Sequence, residues 1–267
     1  MKIFDPHVHA ISRTTDDYED MAAADIRKIL EPAFWLGQPR THVGTFLDYF
    51  SWITEFEQER AAEYNVAHYA AIAVNPKEAN NRELAEEVLE EMPRFLDDES
   101  VVAVGEVGFD RITDDEEEIM KKQIEIAQDA DLPILVHTPH QRKEEGTQRT
   151  INILKDMDVD EDTVLIDHNT EETIGMVLDA GYWAGHSVYT RTKLTPKCVV
   201  DIVQEYGIER VTVNSAADWG PSNPLNVPKT VNELRTRGFT DPKLHKLVWE
   251  NPLEFYNQSG RIGRDPV

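Results

Sequence analysis

The sequence predicts an α/β protein in which eight parallel strands, each followed by a helix, close into one (β/α)8 TIM barrel. Short runs rich in Val and Ile recur along the chain, segments with one apolar helical face separate them, and 267 residues is a typical length for one such barrel. Such alternation requires parallel strands joined by crossover helices. A doubly wound open sheet is the alternative, but the closed barrel better explains eight strands at this length.

Each predicted strand is flanked by Gly, Pro, Asn or Asp, the residues that favour turns. The eight runs are Ile3–Val8, Ile26–Ile29, Val66–Val74, Val101–Val107, Leu132–Val136, Thr163–Ile166, Tyr182–Ala184 and Val211–Val213. The second run is the weakest, because the stretch from Ala10 to Gly44 is long and irregular, and we expect it to form a loop over the barrel mouth. Neither an internal repeat nor a linker divides the chain, so residues 1–267 are predicted to form one domain.

The predicted helices have recognisable ends. Thr195 precedes Pro196 as an N-cap before a proline in the first turn, and Gly181 and Gly207 stand where two helices should stop. The predicted helices are Phe46–Glu63, Arg82–Leu96, Asp115–Asp131, Thr147–Met157, Glu171–Ala180, Pro196–Tyr206 and a helical region from Asn226 onwards.

Composition excludes several classes of partner. The net charge is −24, from 27 basic and 51 acidic residues, and this field opposes binding to nucleic acid or anionic membrane. A high-salt cytoplasm or ordinary solubility would each explain the excess acid. No apolar run approaches the roughly 18 residues of a membrane span. The single cysteine, Cys198, is expected to be a small buried helix residue and suits a reducing cytoplasm. We therefore expect a cytoplasmic protein with a small-molecule substrate.

Histidines and carboxylates follow five of the eight predicted strands, at the barrel end where active sites lie. These residues are His7, His9, Glu106, His137, His168 and Asp218. On a strand, residues i and i+2 face the same side, so His7 and His9 can both reach one metal ion. The set predicts one or two divalent ions. Histidine favours Zn, Mn, Fe or Ni, and the carboxylates leave Mg possible.

The same residues resemble the TatD-type branch of the metal-dependent amidohydrolase superfamily. The resemblance runs from FDPHVH (4–9) to NPLEFY (251–256) and is most specific in VVAVGEVGFD (101–110), QIEIAQDADLP (123–133) and ILVHTPH (134–140). It implies first-strand ligands, a carboxylate bridging two ions, ligands on the side of the second ion, and a final aspartate that contacts metal and the attacking water. By this resemblance, His7 and His9 are the first-strand ligands and Glu106 is the bridging carboxylate. His137 and His168 are the ligands on the side of the second ion, and Asp218 is the final aspartate.

Residues beside these ligands depart from the pattern of that family. After the third strand this chain has Val74-Asn75-Pro76 in place of the family's turn. The family's residues are also replaced after the fifth strand, by His137-Thr138-Pro139 without an arginine. After the sixth and eighth strands the chain has His168-Asn169-Thr170 and Ala216-Ala217-Asp218 instead. The ligand types persist while their neighbours differ. Hydrolase chemistry therefore stays credible, and the nuclease substrate is in doubt.

The predicted mechanism is hydrolysis by a metal-activated water, with Asp218 and Glu106 as catalytic residues. A divalent ion lowers the pKa of bound water from about 15.7 towards about 7. Glu106 would hold the ions close together, and Asp218 would orient the water and accept its proton. Asp5 and Asp167 lie beside metal-type histidines and would either support them or hydrogen-bond within turns. Loop residues that could bind a substrate anion are His140, Arg142, His186, Arg191 and Lys193.

Several functions remain open from the sequence. The first is a hydrolase of a small ester, lactone, amide or phosphoester, and the second is a TatD-type metal-dependent deoxyribonuclease. The nuclease would need Lys and Arg gathered around the barrel mouth despite the negative total charge. A non-catalytic metal-binding scaffold is the third, and an isomerase or lyase the fourth, because the fold does not fix the reaction.

Overall fold

The computed structural model describes Met1–Gly263 and shows the predicted barrel. Eight strands form one sheet in the order β1 to β8, and each neighbouring pair is parallel. The strands are β1 Ile3–Asp5, β2 Ile26–Pro32, β3 Ala67–Ile72, β4 Val101–Gly108, β5 Ile134–His137, β6 Val164–Ile166, β7 Trp183–Ser187 and β8 Val211–Asn214.

The barrel closes at its C-terminal end, just beyond the first and last strands. Val8 forms a parallel bridge with Ala217, and the His9 amide donates to the Ala217 carbonyl at 2.8 Å. His7 and His9 therefore flank the closing bridge rather than lying inside β1, which is shorter than predicted. Their two rings still converge, as the i, i+2 spacing requires.

Helices connect the strands and cover the barrel. They are α1 Thr15–Ala23, α2 Val43–Ser51, α3 Glu57–Ala62, α4 Pro76–Ala79, α5 Arg82–Glu91, α6 Pro93–Leu96, α7 Asp114–Asp129, α8 Lys143–Asp156, α9 Ile174–Asp179, α10 Pro196–Tyr206, α11 Asn226–Thr236, α12 Asp241–His245 and α13 Asn251–Tyr256. Single π-helical segments join α2 to α3 and α12 to α13. Thr195 caps α10 as predicted, since its hydroxyl accepts from the Cys198 amide at 3.2 Å; Cys198 itself is only partly buried.

The stretch from Ala10 to Gly44 is more ordered than predicted. It contains α1 and β2, which includes the predicted run Ile26–Ile29, so the expectation that the stretch forms a loop is wrong over these elements. A capping box between Thr14 and Asp17 starts α1, which buries two side chains, Tyr18 and Met21. The loop is confined to residues 33–42.

The hydrophobic core has two layers. A small cluster around Phe4, Leu30, Leu135 and Leu165 fills the barrel, and a larger one lies between the sheet and the helices. Tyr256 of α13 packs on Phe4, with ring centroids 6.0 Å apart. Within the described residues, no helix is long and apolar enough to cross a membrane.

Candidate metal centre and active site

A cavity of about 250 Å³ opens at the C-terminal ends of the strands. Most of the predicted ligands line it, together with aromatic and basic side chains from the loops. The lining includes His9, Glu106, His137, His168 and Asp218, with Phe34, Trp35, Asn75, Lys77, His140, Tyr189, Lys193 and Trp219.

Glu106 lies at the centre of the predicted ligands. Its Oε1 atom is 3.0 Å from His168 Nε2, 3.1 Å from His137 Nδ1 and 3.6 Å from His7 Nε2. His9 Nε2 lies 3.1 Å from His7 Nε2. One potential ligand atom from each of His7, Glu106 and His168 lies within 4.8 Å of the other two, so a single metal ion could bind all three. The strand ends thus bring four histidines around one carboxylate.

The chemistry of these groups fits a divalent cation. Imidazole nitrogens and carboxylate oxygens are the usual ligands of Zn and related ions. Two ring nitrogens, His9 Nδ1 and His137 Nε2, are buried without a hydrogen-bond partner among the described residues. Burial is the main cause that holds the pKa of His9 and of His168 well below the ordinary value. The charge of His7 lowers the pKa of His9 further, and the charge of Lys193 lowers that of His168. Neutral imidazole is the form that binds metal.

Glu106 is held as a carboxylate. Burial alone would raise its pKa, but His7 and His137 outweigh burial and hold the pKa well below the ordinary value. Its second oxygen accepts a hydrogen bond from Asn75 Nδ2 at 3.2 Å. Glu106 therefore presents a negative charge to the ring nitrogens around it.

Asp167 orients His7. Its Oδ2 atom is 2.6 Å from His7 Nδ1, which leaves His7 Nε2 facing Glu106. Asn214 donates to both Asp167 oxygens, at 3.0 and 3.1 Å. A Cβ at Gly185 would lie 2.4 Å from Asp167 Oδ1, so only glycine leaves room for this carboxylate. This arrangement is a carboxylate–histidine pair that supports a metal ligand.

Asp5 serves the turn instead. Its Oδ1 atom accepts the backbone N–H groups of His7 at 3.3 Å and Ser215 at 3.1 Å. Burial raises the pKa of Asp5 to about 7. Asp5 therefore joins the ends of β1 and β8 beneath the cavity.

Asp218 lies on the cavity wall with partners of its own. Its Oδ1 atom accepts the Tyr189 hydroxyl at 3.0 Å and the Gly220 amide at 2.7 Å. The Arg13 guanidinium binds its backbone carbonyl, and Ser222 Oγ accepts from its amide at 2.9 Å. Its carboxylate is thus fixed in direction at the cavity, beside the ligands gathered on Glu106.

Of the five residues predicted to bind a substrate anion, His140 and Lys193 line the cavity. Arg142 is exposed and pairs with Glu145 at 3.0 Å, and Arg191 is exposed. His186 is fully buried, and its neighbour Gly185 faces Asp167. Because side chains alternate between the two faces of β7, the His186 side chain points the other way, towards the helices. Substrate contact by Arg142, His186 and Arg191 is not supported by these positions.

Several cavity residues escaped the sequence analysis as functional residues. Phe34 and Trp35 come from the loop after β2, Lys77 follows β3, and Tyr189 follows β7. The position of each after a strand was a usable signal, but its side-chain type did not point to metal chemistry.

Comparisons with known proteins agree with this geometry. The family model described as TatD related DNase matches residues 4–257. A Methanocaldococcus jannaschii protein named as an uncharacterized metal-dependent hydrolase is 28% identical over 258 residues, covering 95% of this chain and 99% of that protein. The crystal structure of a TatD-like protein from Archaeoglobus fulgidus is 29% identical, with a TM-score of 0.78, and covers 95% of this chain and 99% of that one.

A more distant solved structure shares the fold. The phosphotriesterase homology protein of Escherichia coli, crystallised with phosphate in its active site, is 15% identical with a TM-score of 0.68, covering 96% of this chain and 98% of that one. The barrel, the family match over nearly the whole chain and the ligand cluster lead to one conclusion. The chain belongs to the TatD-related DNase family and is a metal-dependent hydrolase.

Proposed function

We propose that this enzyme hydrolyses small phosphoesters. The observation that carries the proposal is the cavity itself, where the amine of Lys193 lies beside the His–Glu106 cluster. An ester with an anionic phosphoryl group would bind both the ion held by the ligand cluster and this amine.

The ion would be held by His7, His9 and Glu106, with His137 and His168 beside them. It would polarise the phosphoryl oxygen and lower the pKa of the attacking water. Asp167 keeps His7 in the tautomer whose Nε2 faces Glu106. Asn75 fixes the second oxygen of Glu106 and so its orientation.

Asp218 is the proposed general base. Its carboxylate is fixed by Tyr189 and the Gly220 amide, and it lines the cavity. It would take a proton from the attacking water and return it to the leaving oxygen. A Cβ at Gly220 would lie 2.1 Å from the Tyr189 hydroxyl oxygen, so this glycine is needed for the contact between Tyr189 and Asp218.

The charges near the cavity favour a small anion over a duplex. Lys193 lines the cavity beside the ligand cluster, whereas Lys77 is paired with Asp110 and, farther out, Arg142 with Glu145. Phe34, Trp35 and Trp219 crowd the same opening, with the Phe34 and Trp219 ring centroids 4.5 Å apart. A nucleic acid backbone would also meet the field of a chain with a net charge of −24.

A substrate panel tests the proposal. Metal-free protein and protein reloaded with Zn²⁺ or Mn²⁺ would be assayed on p-nitrophenyl phosphate, bis-p-nitrophenyl phosphate, p-nitrophenyl acetate, a γ-lactone and a duplex oligonucleotide. We expect metal-dependent turnover with the highest kcat/KM on a phosphoester. Asp218→Asn should lower kcat by about 10²- to 10⁴-fold while the metal content stays unchanged.

The alternatives give different results. A higher kcat/KM on the acetate ester or the lactone would overturn the choice of phosphoester. Preferred cleavage of the oligonucleotide would make the chain a nuclease like the DNases for which its family is named. Protein that binds metal tightly but turns over no substrate in the panel would favour the non-catalytic scaffold.

A further inference from the structure

Lys193 reaches into the ligand cluster from the loop after β7. Its Nζ atom lies 2.9 Å from His168 Nδ1 and 3.1 Å from His168 Nε2. His168 Nε2 is in turn 3.0 Å from Glu106 Oε1. The amine therefore stands against the imidazole that the family resemblance places on the side of a second ion.

The loop that carries Lys193 is built into the barrel. The Lys193 amide donates to the Tyr189 carbonyl at 2.8 Å, and the Leu194 amide donates to the Ser187 carbonyl at 3.2 Å. Val188 and Leu194 form a parallel bridge, and Leu194 is buried. These contacts fix the backbone on both sides of Lys193 and direct its side chain to the cavity, which it lines.

Three carboxylates attract the Lys193 amine. Burial lowers the pKa of Lys193 overall, whereas the charges of Glu106, Asp167 and Asp218 act in the opposite direction and favour the ammonium form. A second ion bound at His168 and the Lys193 ammonium would repel each other strongly in a buried site.

We propose that Lys193 takes the place of a second divalent ion, and this proposal rests on the proposed function above. One ion binds on the side of His7, His9 and Glu106. The ammonium of Lys193 supplies a fixed positive charge beside His168, where it binds an anionic oxygen of the substrate. The site is then mononuclear, with a lysine completing the pair of cations.

Lys77 provides a matched control on the same cavity. Its Nζ atom is 2.9 Å from Asp110 Oδ1 and lies 5.1 Å from the centroid of the Trp35 ring. Its charge is therefore neutralised by a carboxylate outside the ligand cluster. Loss of Lys77 should leave the number of bound ions unchanged.

The experiment counts metal ions per chain in wild type, Lys193→Met and Lys77→Met. Each protein would be saturated with Mn²⁺ or Zn²⁺, separated from free metal and analysed by elemental analysis, with thermal unfolding as a check on folding. We expect one ion in the wild type and in Lys77→Met, and two in Lys193→Met. The Mn²⁺-loaded Lys193→Met protein should also give the spin-coupled EPR spectrum of a manganese pair.

Other outcomes overturn the inference. Two ions in the wild type would show that Lys193 does not exclude the second ion, and a single ion in folded Lys193→Met would show the same. Such results would leave the proposed phosphoester hydrolysis intact. Absence of metal from all three proteins would instead remove the basis of the proposed function.

Discussion

Two buried clusters of histidine and carboxylate lie in this protein. The mouth cluster consists of His7, His9, Glu106, His137 and His168 at the C-terminal end of the barrel. The outer cluster lies between β2, β3, α1 and α3 and consists of Glu31, His68, Tyr18, Glu57 and Arg60. Both contain histidine close to buried acid, yet they differ in how many histidines share one carboxylate oxygen.

In the outer cluster, every carboxylate oxygen has a partner within the protein. Glu57 accepts the Tyr18 hydroxyl at 2.7 Å and the Trp52 indole N–H at 3.0 Å. Glu31 accepts the Ile11 amide at 3.0 Å, and its other oxygen lies 2.9 Å from His68 Nε2. Such a network needs no ion to balance it.

In the mouth cluster, ring nitrogens crowd one carboxylate oxygen. Glu106 Oε1 faces His7, His137 and His168. Buried polar atoms without partners are costly, and a cation bound among them would remove that cost. A close histidine–carboxylate pair therefore does not by itself make a metal site. The convergence of three histidine rings on one carboxylate oxygen distinguishes the mouth cluster.

The largest expected effect separates the two clusters directly. Glu106→Gln should lose bound metal and lower kcat/KM on the order of 10³-fold, because the central negative charge is gone. Glu31→Gln should retain both metal and activity. Burial and the charge of Glu57 raise the pKa of Glu31 well above its ordinary value, so a neutral amide imitates its protonated form. Metal analysis and kinetics check this, and loss of metal from Glu31→Gln would contradict it.

A smaller effect concerns the support of a ligand. Asp167→Asn should weaken metal binding by about 10- to 100-fold, because the carboxylate that orients His7 is lost. Competition with a chelator measures the affinity. Asp5→Asn is the control, since Asp5 accepts backbone amides rather than a ligand ring. Equal losses in both variants would mean that the Asp167 effect is only structural.

The contribution of His186 to the stability of the fold should fall with decreasing pH. Burial lowers the pKa of His186 to about 4, and both ring nitrogens lack partners among the described side chains. A histidine with a depressed folded-state pKa stabilises the fold fully above pH 6.5, and this stability is lost as the pH falls towards 4. Between pH 7.5 and 5, His186 should account for on the order of 2 kcal/mol of lost unfolding free energy.

Urea unfolding of wild type and His186→Leu at pH 7.5 and pH 5 measures this loss of unfolding free energy. The variant should lose less stability on acidification than the wild type, because the titrating group is absent. Identical pH dependence in the two proteins would show that His186 is not buried in its neutral form.

The smallest expected effect lies at the edge of the mouth cluster. Tyr189→Phe removes the hydroxyl that holds Asp218, and we expect kcat to fall about tenfold, the loss of one hydrogen bond to a charged group. Metal content should not change, because Tyr189 contacts none of the mouth-cluster histidines in the described structure through a hydrogen bond. Loss of metal would instead place Asp218 among the essential ligands.

The sequence predicts the barrel and the mouth cluster well for a physical reason. Strand ends in a parallel barrel converge at one rim, so residues directly after apolar runs meet there. The sequence predicts α1 poorly, since Tyr18 and Met21 are its buried residues and give little apolar periodicity. The second strand was predicted as Ile26–Ile29 and is longer, because β2 continues through the polar Glu31 to Pro32.

Loop residues were harder to place. Trp35 reaches the cavity through the path of its loop and Lys77 from the four-residue helix α4, neither of which a periodic pattern encodes. His186 shows the reverse case, because a one-residue difference in strand phase turns a side chain from the barrel interior to the helices. The strand phase could not be fixed from Tyr182–Ala184, which ends before the true end of β7 at Ser187.

Anomalous diffraction from crystals of the metal-loaded protein tests the central claim most directly. Data collected on either side of the absorption edge of Zn or Mn would locate each ion. We predict an anomalous peak among His7, His9 and Glu106, with none at the outer cluster. A peak between Glu31 and His68, or no peak at the mouth of a fully loaded protein, would contradict it.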